Sequence, residues 1–446
     1  MQGGRALEDK DKTDWLDAYF DCIKHKLSAP QCTEYRINFE KDLWALMTEV
    51  KTRIYNPTTL DCFVVSKPKY REIFAAGFRD RIVQHWITLR IEPLLEERFV
   101  SQGDVSFNCR KGYGTLLATQ VAGRHIEEVT QNYHKTAYIG KFDICGFFMS
   151  IDKDLLLSLL IPFIKEKYQG DDLDTLLYLT EITVKHEPEK LCVRKSPEEL
   201  WEKIPPKKSL FYSQQGIGMA IGNITSQLLA NFYLSFFDEF VLNECKKHNA
   251  RYIRFVDDFL IICTDKHFII DMHKRATQWF GDNLHLKLHQ DKFYLQEAKK
   301  GVKFVGSVCK LHRRYTANRT VANFTTAIHK TELLCKNIIE NGLNLQNAKL
   351  LESKIANLNS YNGFIVHNNS YNLRRRLFSN KPYFWQCCYM KGKHFVIKIK
   401  SKYRYKYLII NQERSYDERT RNEEAREDRG RNKMDARTKN PHNQKH

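Results

Sequence analysis

The stretch RYIRFVDDFLIIC, residues 251–263, places the pair Asp257-Asp258 between two runs rich in Ile, Val, Phe and Tyr. Such residues favour pleated, half-buried backbone, so 251–256 and 259–263 read as two buried strands with the acids at the tight connection. Asp is also an ordinary turn residue whose side chain bonds nearby backbone, and the pair alone carries little functional weight. A second acid in a similar setting adds to it: Asp143 closes the short apolar run Ala137 to Phe142 and opens into the rest of KFDICGFFMSID, residues 141–152. Ionised carboxylates are hard ligands that suit Mg2+, and two such ions about 3.5 to 4 Å apart need three or more carboxylates to hold them. Asp143, Asp257 and Asp258 supply that number.

The 446 residues leave room for two or three domains and a substantial core. Lys and Arg total 72 against 53 Asp and Glu, a net charge of +19 that makes a polyanion the expected partner, nucleic acid before membrane. There is no run of 18 apolar residues, and the polar start MQGGRALEDKDKTD lacks the apolar centre of a signal peptide, so a cytoplasmic location is expected. Twelve scattered cysteines, of which only Cys387 and Cys388 are adjacent, form neither a disulfide framework nor a metal-ligand spacing and read as small buried hydrophobes. The 16 histidines include no His-Cys pairs at zinc spacing, and His367-Asn368-Asn369 is not a nuclease signature.

Apolar spacing predicts helices within 13–55, an N-terminal helical cover. Pro57, Pro68 and Gly77 punctuate short β-favouring runs, after which DRIVQHWITLRIEPLLEERF, residues 80–99, turns helical. Leu-rich helical periodicity lies between Asp152 and Lys208 and gives way to the loop PPKKSLFYSQQGIG, 205–218. Residues 224–242 read as a helix under the acidic hairpin, and 323–357 and 370–378 as further helices, the last carrying Arg374, Arg375 and Arg376. From about 411 to 446 large apolar residues are almost absent, so the tail is expected to be disordered.

These motifs in this order resemble a reverse transcriptase, and more narrowly those of diversity-generating retroelements of bacteria and their phages. The resemblance spans roughly residues 40 to 385. FVDD, 255–258, is similar to the acidic hairpin, with Phe255 where Tyr or Phe is usual; FDICGFFMSID is similar to the first acidic motif; GVKFVG, 301–306, is similar to the primer grip, here Phe304, Val305 and Gly306. The sharpest subtype feature is IGNITSQ, 221–227: most reverse transcriptases carry Q-G-x-x-x-S-P, whereas the retroelement subfamily carries an aliphatic residue for the Gln and Gln for the Pro. REIFAAGFRDRIVQHW, SFNCRKGYGT and the insert ending PPKKSLF follow the same subfamily pattern.

The resemblance implies Asp143, Asp257 and Asp258 as the catalytic triad, with Ile144 beside Asp143 in the metal set and two Mg2+ ions as cofactors. It implies Lys67 and Arg71 at the triphosphate of the incoming nucleotide, and Phe148 under its sugar, where a ring excludes a 2′-hydroxyl. Phe148 also reads as a core residue, since one of the adjacent Phe147 and Phe148 is expected to face inward. Lys69 and Arg79 read equally as solvated or as template-backbone residues. Lys292, in KLHQDKFYLQ, stands where a lysine assists pyrophosphate departure, with an ordinary surface lysine as the rival reading. Ile221, Gly222 and Gln227 belong to the nucleotide pocket; Ile221 offers contact where a Gln would hydrogen-bond, which weakens discrimination, and the resemblance, not the residue, implies that the errors fall at template adenines. Arg110 and Lys111, beside the Gly112–Gly114 loop, read as contacts to the template backbone.

The expected fold is α+β, a right-handed polymerase with fingers, an RRM-like palm of antiparallel strands and helices, and a helical thumb. The expected boundaries are an N-terminal helical extension at 1–54, fingers and palm at 55–315 with the palm core at about 137–155 and 215–310, a thumb at 316–385, and a basic C-terminal segment at 386–446. Implied partners are template RNA, primer and cDNA, dNTPs, and a small basic accessory protein of the element, in the cytoplasm of a bacterial host. No RNase H domain fits in the remaining length, and no endonuclease motif follows 385. Two rivals stay open: a group II intron or retron type reverse transcriptase, and a non-catalytic RNA-binding defence protein that keeps a polymerase fold.

Overall fold

The computed structural model describes residues 2–24, 27, 29–66, 69–392, 395–405, 408 and 409. Lys67 and the tail expected to be disordered from about 411 lie outside the described residues. In chain order the elements are α1 (Gln2–Ile23), α2 (Pro30–Ile37), α3 (Phe39–Lys51), β1 (Leu60–Val65), β2 (Arg71–Ala75), α4 (Phe78–Ser101), α5 (Thr115–Thr130), β3 (Tyr138–Asp143), α6 (Lys153–Lys167), α7 (Leu173–Lys185), β4 (Cys192–Arg194), α8 (Glu198–Trp201), α9 (Ile224–Lys247), β5 (Arg251–Phe255), β6 (Asp258–Cys263), α10 (Lys266–Leu284), β7 (Tyr294–Glu297), β8 (Val302–Phe304), β9 (Ser307–Lys310), β10 (Arg313–Thr316), α11 (Asn318–Asn341), α12 (Leu345–Ile365), α13 (Tyr371–Phe378), α14 (Pro382–Cys387), β11 (Cys388–Lys391) and β12 (Val396–Ile399). The described residues form two compact units, one from those up to Val305 with Cys309–His312, the other from Gly306–Val308 and those from Arg313 to 409.

The first unit is organised on an antiparallel sheet of order β5-β6-β3-β7. Along β6, Phe259, Ile261 and Cys263 enter one apolar core with α9 and α10, while Leu260 and Ile262 enter another with α5. Helices on both faces explain why FLIIC is continuously apolar rather than alternating. Phe237 of α9 stacks on Phe280 of α10 at 3.9 Å, and Phe142 stacks on Phe259 across the strands at 4.7 Å. A second sheet, β2-β1-β4, pairs β1 and β2 antiparallel and β1 and β4 parallel.

The N-terminal helices share this unit's core. Trp15 of α1 stacks on Trp86 of α4 at 5.3 Å, and Arg90 covers Trp86 while bonding Asp14 at 2.8 Å and Asp172 at 2.6 Å. Nine of the twelve cysteines are buried; Cys109 is exposed, and Cys145 and Cys192 are half-buried. Among the described residues no helix is long and apolar enough to cross a membrane.

The second unit buries Phe324, Ile328, Leu351, Ile355, Leu358 and Phe384 between its helices. The single helical run read at 323–357 is two helices, because Gly342 turns at φ 90° and Asn344 with Asn347 forms a reciprocal cap that starts α12. Ordered structure continues beyond the expected boundary at 385: α14 crosses it, and the hairpin β11–β12 closes the core with Ile397 and Ile399.

Candidate active site

Strand register brings the first and second acidic motifs together. Asp143 ends β3 directly opposite Asp258, the first residue of β6, and antiparallel neighbours sit about 4.5 to 5.5 Å apart. Asp257 lies in the preceding turn, and its carbonyl accepts the Ile144 amide at 3.2 Å. The Asp143 carbonyl in turn accepts the His289 amide at 2.9 Å, which draws the Lys292 segment alongside.

The turn is held from behind. Val256 adopts φ 56°, a left-handed conformation that a β-branched residue rarely takes. Its amide donates to Asn108 Oδ1 at 2.6 Å, and its carbonyl accepts from the Arg254 guanidinium at 3.2 Å. Arg254 is fully buried and donates to both oxygens of Asp238 at 2.7 and 2.5 Å, with the Tyr252 hydroxyl adding a third bond to Asp238 at 2.7 Å. Asn231 of α9 donates to the Asn108 carbonyl at 3.3 Å and accepts the Ser106 hydroxyl at 2.7 Å. Asn108, Arg254 and Asp238 were not expected in the site. An arginine within an apolar strand is the signal for the buried pair, but its partner sixteen residues away is a matter of packing.

Burial pushes the Asp257 carboxyl up to about 6, with the charges of Asp258 and Asp143 adding to it and Arg71 opposing. Asp258 is also raised, burial outweighing Lys141. Lys292 bonds Asp143, and Lys141 bonds Asp258 at 3.2 Å. The donor chemistry fits a divalent cation, because crowded hard oxygens already draw two ammonium groups onto themselves. The side chains are turned to those lysines, and among the described residues no three His, Cys, Asp or Glu side chains form a ready metal cage.

The raised carboxyl has a measurable consequence. Its folded value lies above the ordinary 3.8, so the metal-free fold binds the extra proton and gains stability as pH falls through about 6 toward 3.8. Mg2+ must displace that proton. The increase in melting temperature produced by Mg2+ is expected to shrink as pH falls through about 6; an increase unchanged between pH 7.5 and 5.5 would contradict this.

The other expected residues differ in their surroundings. Arg71 is exposed at the start of β2, and its charge reaches Asp257. Phe147 is buried, whereas Phe148 is half-buried and packs against both the palm core and the apolar cluster under the second sheet. Ile221 is half-buried in that cluster, and its carbonyl accepts the Phe74 amide of β2 at 2.8 Å. Gln227 is exposed and accepts from the Cys109 thiol at 3.5 Å. Phe304 is buried at the end of β8, and Val305 and Gly306 form the turn into β9 with φ 42° and 83°. Arg110 is corrected: its side chain is buried, bonded to Glu96 and Asp104 and stacked on Tyr113 at 3.8 Å, so it braces the loop and does not face a template. Lys111 is exposed and paired with Glu92. Arg79 pairs with Glu49.

Gly222 shows why the motif tolerates little change. Its φ is 128°, and a Cβ there would sit 2.5 Å from the Phe74 carbonyl oxygen. Gly222→Ala is expected to cost about 1 to 3 kcal/mol of stability and to raise the nucleotide KM, since the loop must leave β2; thermal melts and steady-state kinetics check both.

Residues 64–309, more than half of the chain, match the sequence profile of the reverse transcriptase (RNA-dependent DNA polymerase) family. The chain belongs to the reverse transcriptase family. Its α+β architecture is accordingly a polymerase fold, and the family is one of nucleotidyltransferases. Among solved structures, this reverse transcriptase is similar to a C-terminally truncated apo telomerase from Candida tropicalis, with 12% identity, 60% of this chain and 58% of that chain covered and a TM-score of 0.41. It is also similar to telomerase from Candida albicans in complex with a fragment of telomeric RNA, with 11% identity, 79% and 63% covered and a TM-score of 0.42. The chain thus spans less than two thirds of the length of these telomerases. No curated protein sequence matches it.

Proposed function

We propose that this reverse transcriptase is the polymerase of a diversity-generating retroelement, copying a repeat-derived template RNA into cDNA with errors at adenines. The reaction class rests on Asp143, Asp257 and Asp258 sharing one patch with Arg71 and Lys292 beside them. The subtype rests on one observation, the paired departures Ile221 and Gln227 in residues 221–227.

Asp143, Asp257 and Asp258, with Ile144 beside them, would hold two Mg2+ ions. Bound there, the metal supplies charge that activates a primer hydroxyl and stabilises the leaving pyrophosphate. The chain's own residues do the rest. Lys292 pairs with Asp143 and Lys141 with Asp258, contacts that a bound divalent cation would replace. Arg71 offers a guanidinium to the triphosphate, and Phe148 presents a ring edge where a 2′-hydroxyl would stand. Ile221 contributes contact only, which discriminates between bases by about 1 to 3 kcal/mol. Template RNA, primer and dNTPs are the partners, with a small basic accessory protein, in a bacterial cytoplasm.

The test is to offer the full chain, with and without its accessory protein, an adenine-containing RNA with dNTPs and Mg2+, and to sequence the cDNA. Errors concentrated opposite adenine are expected, and Ile221→Gln is expected to reduce them. Faithful copying would place the protein with ordinary bacterial reverse transcriptases, and RNA binding without synthesis would overturn the enzymatic reading.

A further inference from the structure

The insert that carries Pro205, Pro206, Lys207 and Lys208 is locked into the active site from two sides. On the fingers side, Glu72 of β2 is 1% exposed and accepts both the Ser209 hydroxyl, at 2.8 Å, and the Leu210 amide. On the palm side, Gly146, three residues after Asp143, lies so close that a Cβ would be 2.9 Å from the Lys207 carbonyl oxygen. Gly146 itself takes φ 52°. A buried carboxylate is costly unless its oxygens are bonded, and here both bonds go to the residues that follow the lysines. Glu72 stands next to Arg71, so the same contact that satisfies it sets the Lys207-Lys208 pair between Arg71 and the Asp143 loop.

Lys207 and Lys208 are both exposed, and no carboxylate pairs with either among the described residues. The charges nearby are mostly of their own sign, Asp143 being the exception. After burial, Lys208 and then Lys292 are the strongest influences lowering the ammonium of Lys69, with Arg71 adding to them. The Cys145 thiol feels Lys292, Lys207 and Lys287 together. Lys69 thus lies within reach of Lys208, Lys292 and Arg71 as well as of Asp143, and the Lys207 backbone lies against the palm loop. Asp143 offsets one of these charges, and the excess held by a built scaffold favours a multivalent anion.

We infer that Lys207 and Lys208 of the insert are polyphosphate-binding residues, closing with Arg71 and Lys292 a cationic pocket for the nucleotide triphosphate and the departing pyrophosphate, and that Glu72 is the positioning residue that holds them there. This deepens the polymerase reading and rests on it for the identity of the ligand. It assigns the insert between α7 and α9 a role at the reacting end of the nucleotide.

Inorganic tripolyphosphate is the probe, titrated into the full chain without nucleic acid at moderate salt. Removing two charges at contact distance should weaken binding about tenfold in Lys207→Ala/Lys208→Ala, while Lys208→Arg retains it and Lys203→Ala, whose ammonium lies over Tyr70 at 5.7 Å, leaves it unchanged. Glu72→Ala discriminates further: loss of a negative charge near an anion site would strengthen binding by simple attraction, whereas loss of the loop's anchor weakens it several-fold. Affinity for an RNA–DNA hybrid, measured on the same proteins, should change less than twofold, which separates the effect from unfolding. Weakened hybrid affinity with unchanged tripolyphosphate affinity would overturn the assignment and make the lysines nucleic-acid contacts. Failure of the wild-type chain to bind tripolyphosphate would overturn it too. Failure of the chain to polymerise would sink the proposed function yet leave the tripolyphosphate result standing.

Discussion

Asp257→Asn is expected to abolish Mg2+-dependent dNTP incorporation while making the metal-free protein more heat-resistant. Metal stabilisation of developing charge contributes several kcal/mol, so losing one of three carboxylates costs on the order of 10³-fold or more in rate. The stability change runs the other way. Burial and the charges of Asp143 and Asp258 already lift the Asp257 carboxyl to about 6, so at neutral pH the ionised form works against folding, and a neutral amide of the same shape removes that penalty. Incorporation assays and thermal melts in chelator check the two halves. A variant that loses activity and also melts lower would show that Asp257 is structural.

Asp238→Ala is expected to cost about 3 to 5 kcal/mol of stability, enough to unfold much of the protein at 37 °C, because it leaves the fully buried Arg254 guanidinium without its carboxylate. Activity should fall with it, since Arg254 also supports the Val256 carbonyl under the acidic turn. The double change Asp238→Leu/Arg254→Met separates the two roles. Replacing the whole pair by apolar side chains recovers most of the stability, but nothing then restrains Val256 at its positive φ from that side, and incorporation stays low. Denaturant unfolding and single-turnover kinetics on the three proteins read this out; a double variant that regains both stability and rate would show that the pair serves packing alone.

Much of this protein was legible from its chemistry in one dimension. Two apolar runs around Asp257-Asp258 read as buried strands, and Asp143 at the end of a similar run offered the third carboxylate. The helices followed from apolar spacing and from glycine and proline punctuation. What the residues alone left undetermined depended on distance in space. Arg110 in a polar loop and Arg254 in an apolar strand both turn inward, because Glu96, Asp104 and Asp238 meet them. Lys207 and Lys208 look like an ordinary solvated pair, and the insert that carries them is tied to β2 because Glu72, 137 residues from Ser209, accepts hydrogen bonds from Ser209 and Leu210.

Composition, periodicity and turn chemistry are local, so the sequence by itself determined the acidic hairpin, the longer helices, which acids could ligate a cation, and a positive charge that suits a polyanion. Charge pairing, strand register and the seating of a loop are long-range choices among many groups of equal local character. Only the tertiary structure decided which arginines are internal braces, which lysines pair with the carboxylates, and which buried carboxylate ties the insert to β2, because each depends on which groups folding brings within bonding distance.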